Sequence, residues 1–523
     1  MRSTFPYAVA LLISQLAFVA GAAWDIQWHY AIGRDRPFIP PHLLLLSGIV
    51  LTGAIALAGV LHWSVLASRG TASRGVAPRS TPPDRPAMPT HAGGGETGTV
   101  QLLRIFRAPL GIYLAGLGAL SSALAFPWDD YWHRIYGIDV TLWAPFHVMI
   151  VAGMALAALG TVQLFAAASP AASLDSASPA ARVSSFAARA LAWATVVAIC
   201  LLLQAQALNR EGIIALEPVA LIVFPPLLVG LTVPWLIAAA LSSPVAGGAT
   251  AAALALTLLR PALMAFVPWA LRWAAALEGQ RIREANMNVI VTPAAFPAWV
   301  LVAGVLIDVT WLLVRANRLK LRPVPGLMAA GALAGLALAL LDRPWARTLP
   351  VVRGGQSLDL GEALLSSLPG VLVVGALGAA YGIGIGGSMI GRVDRRRVTP
   401  VLNALLAALG GAAAWTAVLA LLGAIGTGQV PARSAVGATP IWLGWAIGLI
   451  PVWGLLGYVA SQAFAARAAL APAAFSGDAR SGPAGDVDGD LDADPTTGLG
   501  AAGRPAGSIS GPQLARTVAG TQA

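Results

Sequence analysis

Charge is what this sequence has least of. Asp, Glu, Lys and Arg together make up 11% of its 523 residues, against about 25% in a soluble globular chain. Lysine is nearly missing: Lys320 stands alone among 33 basic residues, and the rest are Arg. The one cysteine, Cys200, lies in an apolar run. It excludes an intramolecular disulfide and any thiolate-rich zinc or iron–sulfur site, so a bound metal would have to be held by nitrogen and oxygen. Histidine is scarce too, with six in the chain. The net charge of +10 comes from Arg in the segments between apolar runs, which orient a membrane chain; no nucleic-acid partner is expected.

What is abundant is hydrophobic sequence. It makes up 57% of the chain, and the mean hydropathy is +0.74. Apolar runs of about 20 residues or more recur along most of the length, the amount a helix needs to cross a bilayer. The expected fold class is an all-α integral membrane protein with about twelve transmembrane helices and the lipid bilayer as its surroundings. The runs cover approximately 5–30, 42–68, 108–133, 145–168, 187–208, 214–241, 247–269, 292–315, 325–342, 362–388, 399–424 and 438–465.

The first run follows Arg2 and ends in a small-residue stretch, as a cleavable signal peptide would. A similar run, LGALSSALAFP, stands inside the chain before an equivalent motif. By that analogy the first run is a retained helix. The greater share of Arg falls in segments that put both termini in the cytoplasm, with GRVDRRR at 391–397 as the clearest anchor.

Residues 69–107 are rich in Pro, Gly, Ser and Thr over most of their length and read as a flexible linker, as does 169–186. Residues 466–523 cannot build a core and are expected to be disordered. Their DVDGDLDAD run lacks the closing Glu and the flanking helices of a calcium loop.

Two short blocks break the greasiness. WDIQWHYAIGRDRPFIPPH, at 24–42, and WDDYWHRIYGIDVTLWAPFH, at 128–147, share a skeleton. Trp24, Asp25, Trp28, His29, Gly33 and Asp35 fall on Trp128, Asp129, Trp132, His133, Gly137 and Asp139; His42 falls on His147 after one extra loop residue. Each block joins one outgoing helix to one returning helix, so 1–68 and 108–168 form two tandem helical hairpins in a parallel repeat. An eight-helix membrane domain, 187–465, follows.

The spacing carries chemistry. Asp25 and His29 stand four residues apart, as do Asp129 and His133, which puts each pair on one helical face. Asp25 comes about 30 Å into its helix at 1.5 Å per residue, close to the far membrane boundary. His42 follows Pro40 and Pro41, and proline suits the first turn of a helix, so His42 opens the returning helix at a similar depth. One carboxylate and two imidazoles then converge, a ligand set open to copper, zinc or non-haem iron. Asp35 and Asp139 are candidates to fix a His tautomer from behind. The Trp residues read first as interface anchors. The bland alternative is that the Asp–His pairs are structural hydrogen bonds; finding four of the six His at matching places in two copies weighs against it.

At these residues the sequence resembles a copper-binding transmembrane component of the membrane-bound copper monooxygenases, the ammonia and particulate methane monooxygenase family. Asp25, Trp28, His29, Arg34, Asp35, Pro40 and His42 reproduce its motif, with twelve residues between the two His. Asp129, Trp132, His133, Asp139, Pro145 and His147 match it again, with thirteen between the His and no Arg before Asp139. The family's own component is shorter and carries one such motif. The resemblance implies copper as the cofactor. It implies Asp25, His29 and His42 as ligands, Asp129, His133 and His147 by extension, an oxidoreductase of monooxygenase type, and other membrane oxidase subunits as partners. A neighbouring metal position of the family, which uses a His of a later helix, has no counterpart, since no His follows His147.

Among the eight later spans, Asp308 in VLIDVTW is the candidate intramembrane functional group. The glycine-rich run 375–391 reads as close helix packing. Glu217, Glu278 and Arg281 read as lining for an outer vestibule. A competing function is a metal transporter or metal-handling permease, with the two motifs as an outer capture site and Asp308 as its coupling group.

Overall fold

The structure is a computed structural model. It describes residues 4–33, 38–74, 99–136, 143–168, 178–207, 213–216, 219–222, 224–243, 245–288, 290–342, 351–352, 356–357, 360–390, 395–425 and 441–469. Among these, ten helices are long and apolar enough to cross a membrane, so the chain is an all-α, multi-pass membrane protein.

The first two hairpins are α1 (Phe5–Ala31) with α2 (Pro40–Arg74), and α3 (Leu110–Tyr136) with α4 (Pro145–Ala168). They form a four-helix arrangement in which α1 packs on α2 and α4, and α3 packs on α2 and α4. Glycine decides how closely the helices of each hairpin approach. A Cβ on Gly48 would strike the backbone of Phe18, and a Cβ on Gly153 would strike the backbone and hydroxyl of Ser122. Phe18 and Ser122 occupy equivalent repeat positions, as do Gly48 and Gly153, so the duplication extends from the polar motif into the buried packing. At the other end of the bundle Thr4 donates to the Leu164 carbonyl at 3.0 Å. Phe5 packs edge-on against Phe165 there.

The stretch read as a linker is narrower than 69–107. Helix α2 runs on to Arg74, and β1 (Thr99–Leu102) pairs with β2 (Phe106–Pro109) in an antiparallel hairpin leading directly into α3. Residues 75–98 lie outside the described residues. The hairpin turns through Leu103 (φ 51°) and Arg104 (φ 62°), both left-handed. For side chains with a Cβ that conformation costs roughly 1–2 kcal/mol per residue, and it matches the twist of a tight hairpin that Asn-Gly normally serves.

Three later expectations also change. Helix α5 (Pro179–Leu201) starts before 187, because Ser178 accepts from the Ala181 amide at 3.3 Å and Pro179 fills the first turn; α6 (Gln204–Ala207) follows. The run 214–241 is not one helix. Its β-branched start forms a hairpin, β3 (Ile213–Leu216) with β4 (Val219–Ile222), before α7 (Phe224–Ser242). After α8 (Gly248–Leu277), the run 292–315 divides into α9 (Val291–Ala295) and α10 (Val300–Arg315), with Phe296 in extended backbone at the break.

Next come α11 (Pro323–Leu341), a short pairing of β5 (Val351–Val352) with β6 (Gln356–Ser357), α12 (Leu360–Ile390) and α13 (Arg395–Ile425). The run 438–465 divides into α14 (Ile441–Gly448) and α15 (Ile450–Ala469). The glycine-rich run packs as its composition predicts: Gly375 lies against Gly331 of α11, and Gly382 against Pro234 of α7. Arg189, near the start of the run that opens at 187, is buried. Its guanidinium donates to the Ser242 carbonyl at 3.2 Å and the Phe165 carbonyl at 3.3 Å, at the ends of α7 and α4. A cation there meets the negative ends of two helix dipoles. The tail expected to be disordered, 466–523, lies outside the described residues from 470 on.

Candidate metal site

Helix α1 carries Asp25 and His29 to its last two turns. The helix then stops: the Ile32 and Gly33 amides both fold back onto the Trp28 carbonyl. Gly33 sits at φ +73°, where a Cβ would be strained and would meet the Arg283 guanidinium. Helix α2 restarts at Pro40, and His42 occupies its first turn, as the two prolines predict.

The three side chains meet. Asp25 Oδ1 lies 3.4 Å from His29 Nε2 and 3.1 Å from His42 Nε2. The two imidazole centroids are 5.8 Å apart and tilted by 41°. One ligand atom from each of the three residues can be chosen so that all lie within 4.8 Å of one another. Asp25 Oδ1 is buried between the two rings. Donors bound about 2.1 Å from one ion, and about 90–109° apart, lie about 3.0–3.4 Å from each other. The observed separations fall in that range. The residues therefore fit a small transition-metal ion.

In the second copy Asp129 Oδ2 lies 3.1 Å from His147 Nε2, the counterpart of Asp25 with His42. His133 stands on α3, but its side chain is outside the described residues, as are Asp35 and Asp139. Trp24 and Trp128 are both buried, at 4% and 2% exposure, so these two are core residues rather than interface anchors. Trp128 stacks on Phe146 at 5.5 Å. The copies are neighbours at the same end of the bundle: His42 packs edge-on against Phe126, three residues before Asp129, at 6.1 Å.

The later part of the chain closes over each copy differently. A strap runs over the end of α1: the Arg283 amide donates to the Ala31 carbonyl at 3.0 Å, and Asn286 Nδ2 donates to the Tyr30 carbonyl. Gln27, fully buried, fastens the strap with both ends of its amide. Its Nε2 donates to the Asn286 carbonyl at 3.0 Å, and its Oε1 accepts from the Val291 amide at 2.8 Å. Over the second copy lies α14 instead, with Gly444 against Trp132 and Gly448 against Pro145. Sequence reasoning missed Gln27, Asn286 and Phe126. Gln27 alone left a signal, an amide among apolar residues at the end of a span.

Asp308 is placed elsewhere and its carboxylate is committed. It accepts from the Ala249 amide at 3.3 Å, the Thr250 amide at 2.7 Å and the Thr250 hydroxyl at 2.7 Å. The first turn of α8 has no side-chain cap of its own, so Asp308 caps it from α10. Asp342, just past α11, is also buried, at 5% exposure. Burial pushes its carboxyl up to about 6, against the pull of the Arg260 guanidinium and of the Ala298 and Trp299 amides. Glu278 and Arg281 lie where α8 leads into the strap, and Glu217 is outside the described residues. Comparison of the chain with family models, with curated proteins and with solved structures gives no match.

Proposed function

We propose that this chain is a membrane metal-binding protein that holds a copper ion through Asp25, His29 and His42, with Asp129, His133 and His147 as a matching second set. The convergence of Asp25 Oδ1 with two imidazole nitrogens, at separations that one ion could bridge, carries this reading. Two imidazoles and one carboxylate suit copper, zinc or non-haem iron; copper rests on the resemblance of the motif to that of the membrane monooxygenases. Copper so held supplies one-electron chemistry, and the chain is then one part of a membrane oxidoreductase. Asp25 offers the negative charge, and α1 and α2 fix the two rings. From the Arg distribution we read the motifs as facing the extracytoplasmic side of the cell membrane, with the termini in the cytoplasm. For the permease alternative, Asp308 would be the coupling group; its hydrogen bonds to the first turn of α8 favour a structural role for it.

Elemental analysis of the purified full chain tests the reading. Copper should be retained by the wild type and lost from the first site in Asp25→Asn and His42→Ala. The Cu(II) spectrum should show coupling to imidazole nitrogen. Zinc or iron in its place would overturn copper alone. Absence of any bound transition metal from folded protein, after loading, would overturn the metal reading.

A further inference from the structure

The β1–β2 hairpin stands at the end of the bundle opposite the Asp25 site. Arg107 of β2 exchanges hydrogen bonds with Ser64 of α2: its amide donates to the hydroxyl at 3.0 Å, and the same hydroxyl donates to its carbonyl at 3.3 Å. The Leu103 amide donates to Asn403 Oδ1 on α13 at 3.3 Å. Ser64 falls in the last turn of the apolar span 40–66, and Asn403 in the second turn of the span 397–415. The hairpin is thus held at the level where those helices leave the bilayer. Its tip is unusual for that place. Leu103 and Ile105 are 50% and 73% exposed, and Arg104 and Arg107 are exposed beside them. The turn accepts left-handed backbone at Leu103 and Arg104 where Asn-Gly would be unstrained. Strained positions of this kind persist where the surrounding structure holds them, here through the contacts to Ser64 and Asn403.

We propose that this tip is a docking site for anionic phospholipid, with Leu103 and Ile105 reaching the acyl boundary and Arg104 and Arg107 meeting headgroup phosphates. The depth fits, since Arg107 is level with the last turns of a span. The chemistry fits, since apolar and cationic groups alternate as they do at a membrane interface. A soluble acidic partner would not call for two large apolar side chains at lipid level.

The test uses the full chain in bilayer nanodiscs of phosphatidylcholine, with and without phosphatidylglycerol. A nitroxide placed by Ile105→Cys, in a Cys200→Ser protein, should be more accessible to oxygen than to a water-soluble nickel chelate. Arg104→Gln with Arg107→Gln should lower retention of phosphatidylglycerol over phosphatidylcholine by about thirtyfold, about fivefold per arginine. A label at 105 that remains open to the nickel chelate, or unchanged lipid preference in the hairpin variant, would overturn the proposal. The labelling arm holds even where the double variant folds poorly.

Discussion

His42 of the first copy presents its ring edge-on to Phe126, one helical turn before Asp129 of the second, with centroids 6.1 Å apart and planes at 88°. Under the metal reading, a ligand of one site is steadied by an aromatic ring from the helix that carries the other. Truncating Phe126→Ala should free the His42 ring and weaken copper at the first site by about tenfold, the lower range for losing the support of a metal ligand. Phe126→Leu should recover most of it. Chelator competition on the purified variants measures this, and equal affinities for wild type and Phe126→Ala would remove the support.

Gln27 makes a second, separable prediction. Its amide satisfies both a carbonyl and an amide of the strap. Gln27→Leu leaves the buried Val291 amide and the half-buried Asn286 carbonyl without this partner, at about 1–3 kcal/mol. Exchange of backbone amides in 284–291 should accelerate by about tenfold or more. Peptide-resolved hydrogen exchange reads it directly, and protection unchanged over 284–291 would contradict the fastening role.

Asp308 separates a structural from a transport role. Removing three hydrogen bonds to a charged group should cost Asp308→Ala about 2–4 kcal/mol of stability, with Asp308→Asn milder. Thermal midpoints should fall while bound metal per chain stays constant. Stability equal to wild type, together with lost metal movement into vesicles, would restore the coupling role.

Asp342 predicts a pH dependence with a definite sign. Its carboxyl is raised from 3.8 to about 6 by burial, so the folded state holds the proton more tightly than the unfolded state. The stability it contributes is present below about pH 4 and is lost as pH rises through about 6, up to about 3 kcal/mol. Asp342→Asn should lose this component. The difference between the two thermal midpoints, followed from pH 4 to 7, should change in that direction; a constant difference would refute it.

The membrane class and the first hairpin were legible because hydrophobic length and i, i+4 spacing act locally. Asp25, His29 and Pro40–Pro41–His42 meet in space for reasons already present in the chain order. The runs at 214–241, 292–315 and 438–465 were harder. A hydrophobic run says that a segment is apolar without saying that it is one helix, and β-branched residues before Pro225, or a break at Phe296, are settled by neighbours. Asp308 illustrates the same limit. A carboxylate in a span reads as costly, and its reward, the uncapped start of α8, lies 58 residues away. The strap over α1 and the Phe126 contact are likewise long-range, and no periodicity encodes them.

The paired crossings at Gly48–Phe18 and Gly153–Ser122 have one more consequence. Two identical hairpins assembled from separate chains would be bound to keep identical sites, because every substitution would appear twice. Joined in one polypeptide, they are a fused dimer, free to drift apart while the shared crossing holds each hairpin's shape. Ser14 bonds Thr52 in the first, where the second has Gly118 and Ala157; a strap covers one site and a helix the other. The two hairpins share one crossing and one motif, yet differ in their buried polar contacts and in what covers them.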